Sequence, residues 1–504
     1  MSGVSSAVKG IVSSQLFMLV TMIISLVGTP IVLSLVNKEE YGLWILLSQV
    51  VSYFTYLDFG LSAGITRMLA SNRDSPDHII SQILSTSFIT FLGIGLVVFF
   101  AGAISVPFVQ ESLHISDSLL EVSYSIFISL LVLTAIQLPF RCISSIFYAH
   151  QKQLLSNILQ FVIGIISMPM NIILLYMDFG LWAFVITNCT TAVLNVIIYS
   201  YYFKKHYPTI RVSLKYYQGA LLPQLYSYGF FIFLNGIAWV IVSSTDRMLI
   251  GSLISLTAVT IFSLSVRLPE IVLGLIFKIT DNFFPMMTEL NEKNELGSFK
   301  TIHNNLMLIS ITVASTAAWS LYILDELFVL YWVGSGNFIG QPVIAAVLLL
   351  MVIHSILHVS AVCLNGAGFV KGFSLLSLLE AGLNLGLSIL LGKMYGVLGI
   401  MCGTIIASVL TSGWYTPYLA MKFMKINFYE YLFNPILKPL IITALPGLLM
   451  IGVKWYFNSF FSTSVWAFIL LAAITGLLYI VVLWVAILKP AFPTLVSKIK
   501  SKLS

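Results

Sequence analysis

The feature that most constrains this chain is a succession of long, nearly uncharged apolar runs that together occupy most of its 504 residues. Inside a bilayer no water satisfies backbone N–H and C=O groups. A spanning segment must therefore be a helix of about 20 apolar residues or a barrel strand of about 10. The runs here are continuous and lack the alternation of a barrel wall, so they read as helices. Charge points the same way: 9% of residues are Asp, Glu, Lys or Arg and 59% are hydrophobic, whereas a soluble domain carries about 25% charged residues. Nineteen acids and 25 bases cannot cover the surface of a water-soluble chain of this length. A soluble enzyme, a disordered chain and a nucleic-acid-binding protein are excluded, the net charge of +6 notwithstanding. What remains is an all-α, multi-pass membrane protein.

The runs predict about fourteen transmembrane helices: 11–36, 41–70, 79–109, 119–149, 154–177, 179–203, 223–252, 257–287, 302–333, 341–366, 372–392, 396–421, 436–457 and 464–488. The first is too long for a signal-peptide core and has no small-x-small cleavage site, so it is expected to remain a helix. Orientation follows from Lys and Arg in alternate connections. One set, which includes both termini, holds sixteen: Lys9, Arg73, Lys152, Lys204, Lys205, Arg211, Lys215, Lys293, Lys300, Lys371, Lys422, Lys425, Lys489, Lys498, Lys500 and Lys502. The other set holds three, Lys38, Lys393 and Lys454. This bias puts both termini in the cytoplasm, and one missed or invented helix would scramble it.

The two halves resemble each other in hydropathy register. Phe179–Ala183 opens the sixth span after a short hinge, as Tyr395–Gly399 opens the twelfth, and Gly180 and Gly396 match at a spacing of 216. Pro30–Trp44 and Arg247–Ile261 share the build of helix end, polar turn and new helix, at a spacing of 217. Two six-helix lobes in parallel topology follow, residues 1–203 and 223–424. Residues 204–222 form a basic cytoplasmic linker, and 425–504 carry helices thirteen and fourteen outside the repeat. Two such lobes can rock about a central cavity to give alternating access; a static channel or scaffold uses the same parts.

Charges left inside the spans cost about 2.5–3.5 kcal/mol each on insertion scales, so they face a cavity or a partner. In the eighth span Arg267 and Glu270 are three apart, as are Lys278 and Asp281, and eleven residues separate the pairs. At about 100° per residue all four fall within roughly 80° on the helix wheel. This stripe is either the wall of a polar path or two ion pairs that lock helices together. Arg141, in the fourth span, has no acid nearby in sequence; its planar fork suits an anion such as phosphate, or else it snorkels to the interface. Asp58 lies mid-span in the second helix, followed by Gly60 and Gly64. Glu380 is a lone acid in the eleventh span, either a proton or cation site or a protonated core residue. Glu380 and Asp58 are the candidate coupling groups.

Nothing in the chain points to catalysis. There is no P-loop, HExxH or GxSxG, and no connection is long enough for a soluble catalytic domain. Cys142, Cys189, Cys363 and Cys402 lie in apolar runs without CxxC spacing and read as core residues rather than metal ligands or disulfides. No cofactor is implied.

Four segments carry a family resemblance: Glu40-Tyr41-Gly42-Leu43-Trp44, Leu57-Asp58-Phe59-Gly60-Leu61, Thr245-Asp246-Arg247-Met248-Leu249-Ile250-Gly251 and Ser263-Leu264-Ser265-Val266-Arg267-Leu268. With the span count and the repeat, the sequence resembles polysaccharide flippases of the multidrug/oligosaccharidyl-lipid/polysaccharide exporter superfamily. That resemblance implies a V-shaped transporter of the cell inner membrane moving an undecaprenyl-diphosphate-linked oligosaccharide, such as an O-antigen (lipopolysaccharide) or capsule repeat unit. It also implies glycosyltransferases and a glycan polymerase as partners. Members line the cavity with basic residues, for which Arg141, Arg267 and Lys278 are the matching candidates; Glu270 and Asp281 depart from a strongly cationic cavity. By the same resemblance helices thirteen and fourteen hold the polyprenyl tail. The rivals are a cation-coupled multidrug antiporter of the same superfamily, which Asp58 keeps open, and a non-transporting membrane scaffold.

Overall fold

A computed structural model describes residues 2–56, 58–72, 75–113, 115–149, 153–461 and 464–484. Leu57, Arg73, Lys152 and the lysines from Lys489 to Lys502 lie outside the described residues, as does the end of the fourteenth predicted span. Every regular element described is helical. In chain order the α-helices are α1 (Ser2–Leu35), α2 (Lys38–Thr55), α3 (Leu61–Ser71), α4 (Asp77–Ser112), α5 (Asp117–Gln137), α6 (Arg141–Ala149) and α7 (Gln153–Tyr176). Then come α8 (Trp182–His206), α9 (Leu222–Leu253), α10 (Leu256–Ser265), α11 (Arg267–Asp281), α12 (Phe284–Glu292), α13 (Leu296–Val333) and α14 (Gln341–Gly366). The last are α15 (Val370–Leu410), α16 (Ser412–Met424), α17 (Phe428–Leu432), α18 (Lys438–Tyr456), α19 (Asn458–Phe461) and α20 (Val465–Leu483). Among the described residues ten helical stretches are long and apolar enough to cross a membrane. The chain is an all-α membrane protein.

Four spans that hydropathy reads as continuous are broken. The second divides into α2 and α3 at Tyr56–Gly60, where Phe59 (φ 50°) and Gly60 (φ 79°) take left-handed conformations. The fourth divides into α5 and α6 across one 3₁₀ turn, Leu138–Phe140, because Pro139 has no N–H to continue the ladder. The eighth becomes α10, α11 and α12, with Val266 off the helical region (φ −88°, ψ 3°) and Pro269 and Pro285 each in a first turn, where proline is tolerated. The twelfth divides into α15 and α16 at Thr411 (φ −118°, ψ −94°), while its start is continuous with the eleventh in α15, kinked at Gly396. Gly396 (φ 60°) and Gly180 (φ 52°), the two positions matched at a spacing of 216, share a positive φ.

Contacts divide the chain into two compact units, residues 1–260 with 370–403, and 261–369 with 404–504. In the first, one apolar core joins α3, α4, α6 and α8 through Leu61, Leu84, Phe91, Phe147 and Tyr199. The Glu40–Trp44 segment explains itself here. Asn37 accepts from the Glu40 N–H (2.8 Å) while the Glu40 carboxylate accepts from the Asn37 N–H (3.2 Å), a reciprocal cap of α2. Gly42 lies against the Leu256 carbonyl, where any Cβ would collide. Trp44 stacks on Phe184 at 4.9 Å, and Thr260 Oγ1 donates to the Lys38 carbonyl at 2.7 Å. Asn37→Ala should cost about 1 kcal/mol, and Glu40→Ala added to it should cost less than the two singly, since both act on one cap. Thermal unfolding of the purified protein in detergent checks this; additive losses would count against a shared cap.

Among its described residues the second unit holds two cores. One joins α12, α13, α14 and α16 through Met287, Phe299, Met307, Val359 and Met424. The other ties α13 to α18 and α20 through Ile323, Leu327, Met450 and Leu471.

Candidate functional site

Charges gather at the helix breaks and along one helix face. In the first unit, Arg141 begins α6 directly after the 3₁₀ turn, half-buried. Its Nη1 donates to the carbonyl of Thr55 (3.0 Å), the last residue of α2. A cation at a helix C-terminus meets the negative end of the dipole and an orphan carbonyl together. Across the break Asp58 precedes α3: its Oδ1 accepts from the Gly60 N–H (2.9 Å), and its Oδ2 from the Ser62 hydroxyl (2.6 Å) and N–H (3.4 Å). The Asp58 carboxylate is also within electrostatic reach of the Arg141 guanidinium. The two charges thus finish the two halves of one broken helix. One of the five N–H donors of Arg141 goes to Thr55, and a fork of donors remains to suit an anion.

Beside this break lies an apolar groove of about 360 Å³ between α4 and α5. It is lined by residues such as Phe88, Leu92, Leu96, Val132 and Ile136, and it ends on Pro139 and Phe140, immediately before Arg141.

In the second unit α11 runs unbroken from Arg267 to Asp281, so the four charges do share a face of one helix. Glu270, Lys278 and Asp281 are exposed and Arg267 is half-buried, amid a helix otherwise apolar. Asp281 does not simply close on its sequence neighbour Lys278: its Oδ1 meets Nε2 of His358, on α14, at 2.9 Å. The imidazole of His358 in turn stacks on Phe277, one turn before Asp281, with centroids 3.8 Å apart and planes 12° apart. The face therefore carries an aromatic and a histidine in addition to the four charges read from spacing. His358 is absent from the sequence-derived site because it reaches α11 from another helix.

Glu380 is buried on α15, with Asn384 and Ser388 fully buried one and two turns further along. Ser388 Oγ donates to the Ile400 carbonyl beyond the Gly396 kink at 3.0 Å. Asp325, buried in α13, is a membrane-embedded acid that the sequence reading passes over. Among the described residues no cluster of three or more His, Cys, Asp or Glu is arranged to hold a metal ion.

A family model described as polysaccharide biosynthesis protein matches residues 7–291, more than half of the chain. The chain belongs to this family. A curated relative, the uncharacterized membrane protein EpsK of Bacillus subtilis (strain 168), is 22% identical over 328 residues. That match spans 63% of this polysaccharide-biosynthesis chain and 63% of the relative, less than two thirds of its length. Among solved structures, the lipid II flippase MurJ in an inward closed conformation superposes with a TM-score of 0.69 at 13% identity, over 94% of this chain and 98% of that one. An inward-facing multidrug resistance MATE family transporter of the MOP superfamily superposes with a TM-score of 0.68 at 12% identity, over 82% and 98%. At such identities the likeness is one of fold, and the fold is that of MOP-superfamily transporters.

Proposed function

We propose that this protein is a flippase that carries a polyprenyl-diphosphate-linked oligosaccharide across the cell inner membrane by alternating access. The observation that carries the reading is the accessible face of α11, where Arg267, Glu270, Lys278 and Asp281 are held on an otherwise apolar helix. Charges that cost several kcal/mol in lipid are kept where a polar cargo can meet them. A diphosphate and its sugars cannot enter hydrocarbon, while their lipid tail can stay there. Cationic groups at the membrane interior supply the first need, and the apolar α4–α5 groove beside Arg141 suits the second. The mixture of acids and bases, with the Phe277–His358 stack among them, fits a glycan of many hydroxyls, since hydroxyls accept from Arg and Lys and donate to Glu and Asp. Family membership in polysaccharide biosynthesis supports the cargo, and the fold supports the motion. Two six-helix lobes, 1–203 and 223–424, would rock about the cavity, with Glu380 or Asp58 as the coupling group.

Deleting the gene in its host should abolish the surface polysaccharide and leave lipid-linked repeat units inaccessible to an impermeant glycosidase applied to spheroplasts. Restoring the chain should return both. Normal surface glycan together with raised sensitivity to cationic drugs would instead identify a multidrug exporter.

A further inference from the structure

We infer that residues 207–221 form an interfacial strap whose outer face docks on anionic phospholipid headgroups. The sequence reads this stretch as part of a basic linker, and the structure binds its backbone to α4. The Ser81 hydroxyl accepts from the Arg211 N–H (3.1 Å). Ser85 Oγ accepts from the Ser213 N–H (3.0 Å) and donates to the Arg211 carbonyl (3.4 Å). Thr86 Oγ1 accepts from the Gln218 N–H (2.9 Å) and donates to the Gln218 carbonyl (3.5 Å). At the start of α4 the Asp77 carboxylate accepts from the Thr209 hydroxyl. Inward, Ile210 is buried, and Tyr207, Val212 and Leu221 pack against the same core.

These anchors fix the depth of the strap. Residues 88–109 of α4 carry no ionisable side chain, and at 1.5 Å per residue they measure about 33 Å, the thickness of a hydrocarbon core. Ser81, Ser85 and Thr86 directly precede that stretch, at headgroup level, and they are buried beneath the backbone they bind. The strap therefore lies in the headgroup layer with one face sealed on α4 and the other free.

That free face is basic and apolar together. Arg211 and Lys215 are exposed, as are Lys204 and Lys205 in the last turn of α8. No Asp or Glu occurs between Asp178 and Asp246. Among the described residues none of these four cations makes an ion pair. Leu214, between the two cations of the strap, is 78% exposed, and Tyr217 is 42% exposed. An aliphatic side chain and a phenol ring set among cations suit a layer that is apolar on one side, wet and anionic on the other. Free phosphate would meet the cations but leave Leu214 in water, which favours lipid as the occupant. This inference does not rest on the identity of the cargo, and its test needs none.

The test uses Leu214→Trp in the full-length protein, reconstituted into phosphatidylcholine vesicles holding a minor share of brominated lipid. Its emission is read against the wild type, which has nine tryptophans of its own. Brominated phosphatidylglycerol should quench the added tryptophan several-fold more than brominated phosphatidylcholine at the same share. Arg211→Gln with Lys215→Gln should remove most of that preference, since each cation near an anionic leaflet is worth about fivefold. Sodium chloride at about 1 M, where the Debye length is about 3 Å, should do the same. Ser85→Ala with Thr86→Val keeps the cations but removes two anchors, and should also weaken the preference. Equal quenching by the two lipids, quenching by neither, or a preference indifferent to the Arg211 and Lys215 changes would overturn the inference. So would its loss on adding inorganic phosphate at constant ionic strength, which would mark a free-anion site. A preference intact without the Ser85 and Thr86 hydroxyls would overturn the anchoring; should that variant fail to fold, the variants of exposed residues decide.

Discussion

Gly60→Ala is expected to leave little folded protein. Gly60 has φ 79°, a left-handed conformation that costs an L-residue about 1–2 kcal/mol. Any Cβ there would also strike the carbonyl group of Gly229 on α9, backbone that cannot swing aside. Overpacking of this kind costs about 1–3 kcal/mol more. The approach is mutual, for a Cβ on Gly229 would strike the Gly60 carbonyl, and one turn on Gly64 lies equally close to the Leu225 carbonyl. Here α3 and α9 pack through small residues, which lets helix backbones approach closely in membranes. Gly229→Ala keeps the collision without the left-handed strain, so it should fall between Gly60→Ala and the wild type. Gly236→Ala, also on α9 but facing open space, should be neutral or slightly stabilising, because alanine is the better helix former by up to about 1 kcal/mol. The yield of monodisperse protein by size-exclusion chromatography and the thermal midpoint read this ranking. Equal behaviour of Gly60→Ala and Gly236→Ala would refute the tight crossing.

The same glycine shows how far the amino-acid sequence could be read. Hydropathy recovers the helical class and the membrane setting because both depend on sums over about 20 residues. It passes over the breaks at Asp58–Gly60 and Val266, since a left-handed or distorted residue changes no hydropathy sum. Pro139 marks its break through chemistry visible in the sequence, a missing N–H, and Pro269 and Pro285 stand in the first turns of the helices into which the eighth span divides. The four segments that resemble the family all lie at helix ends or breaks. Asn37–Trp44 caps and seats α2, and Asp58–Gly60 divides the second span. Thr245 Oγ1 lies 3.4 Å from the Tyr53 hydroxyl. Ser265 Oγ accepts from the Ile339 N–H (2.9 Å) and donates to the Asn337 carbonyl (3.2 Å), pinning the 334–340 connection beside Val266. The resemblance thus falls on caps, breaks and helix-end contacts.

Among the candidate residues, the α11 stripe was legible because eleven residues make nearly three turns of an unbroken helix. Partners from other helices were not, as sequence spacing carries no information about which helix approaches. His358 and the Thr55 carbonyl are of this kind. Asp325 escaped for another reason. It lies eight residues from the end of α13, where a carboxylate is expected to reach the interface, yet it is buried.

The second large effect concerns Arg267 and Arg141, and the two should fail differently. Arg267→Ala removes a half-buried guanidinium from the face of α11 that also carries Glu270, Lys278 and Asp281. Surface polysaccharide should fall about tenfold or more at unchanged protein level, because a hydrogen bond to a charged group is worth about 1.5–3 kcal/mol and each 1.4 kcal/mol is a factor of ten. Arg141→Ala also uncaps α2, since its Nη1 bonds the Thr55 carbonyl, so both the protein level and the export per molecule should drop. Arg141→Lys separates these parts. An ammonium can still meet the end of α2 and restore the protein level, but it lacks the planar fork that grips a phosphate in bidentate fashion, so export should stay low. Quantifying surface glycan against immunoblotted protein reads all three. Full export in Arg267→Ala would remove α11 from the cargo path. Full recovery in Arg141→Lys would make Arg141 a cap and nothing more, leaving the broken second span as scaffold for a cavity whose contacts lie elsewhere.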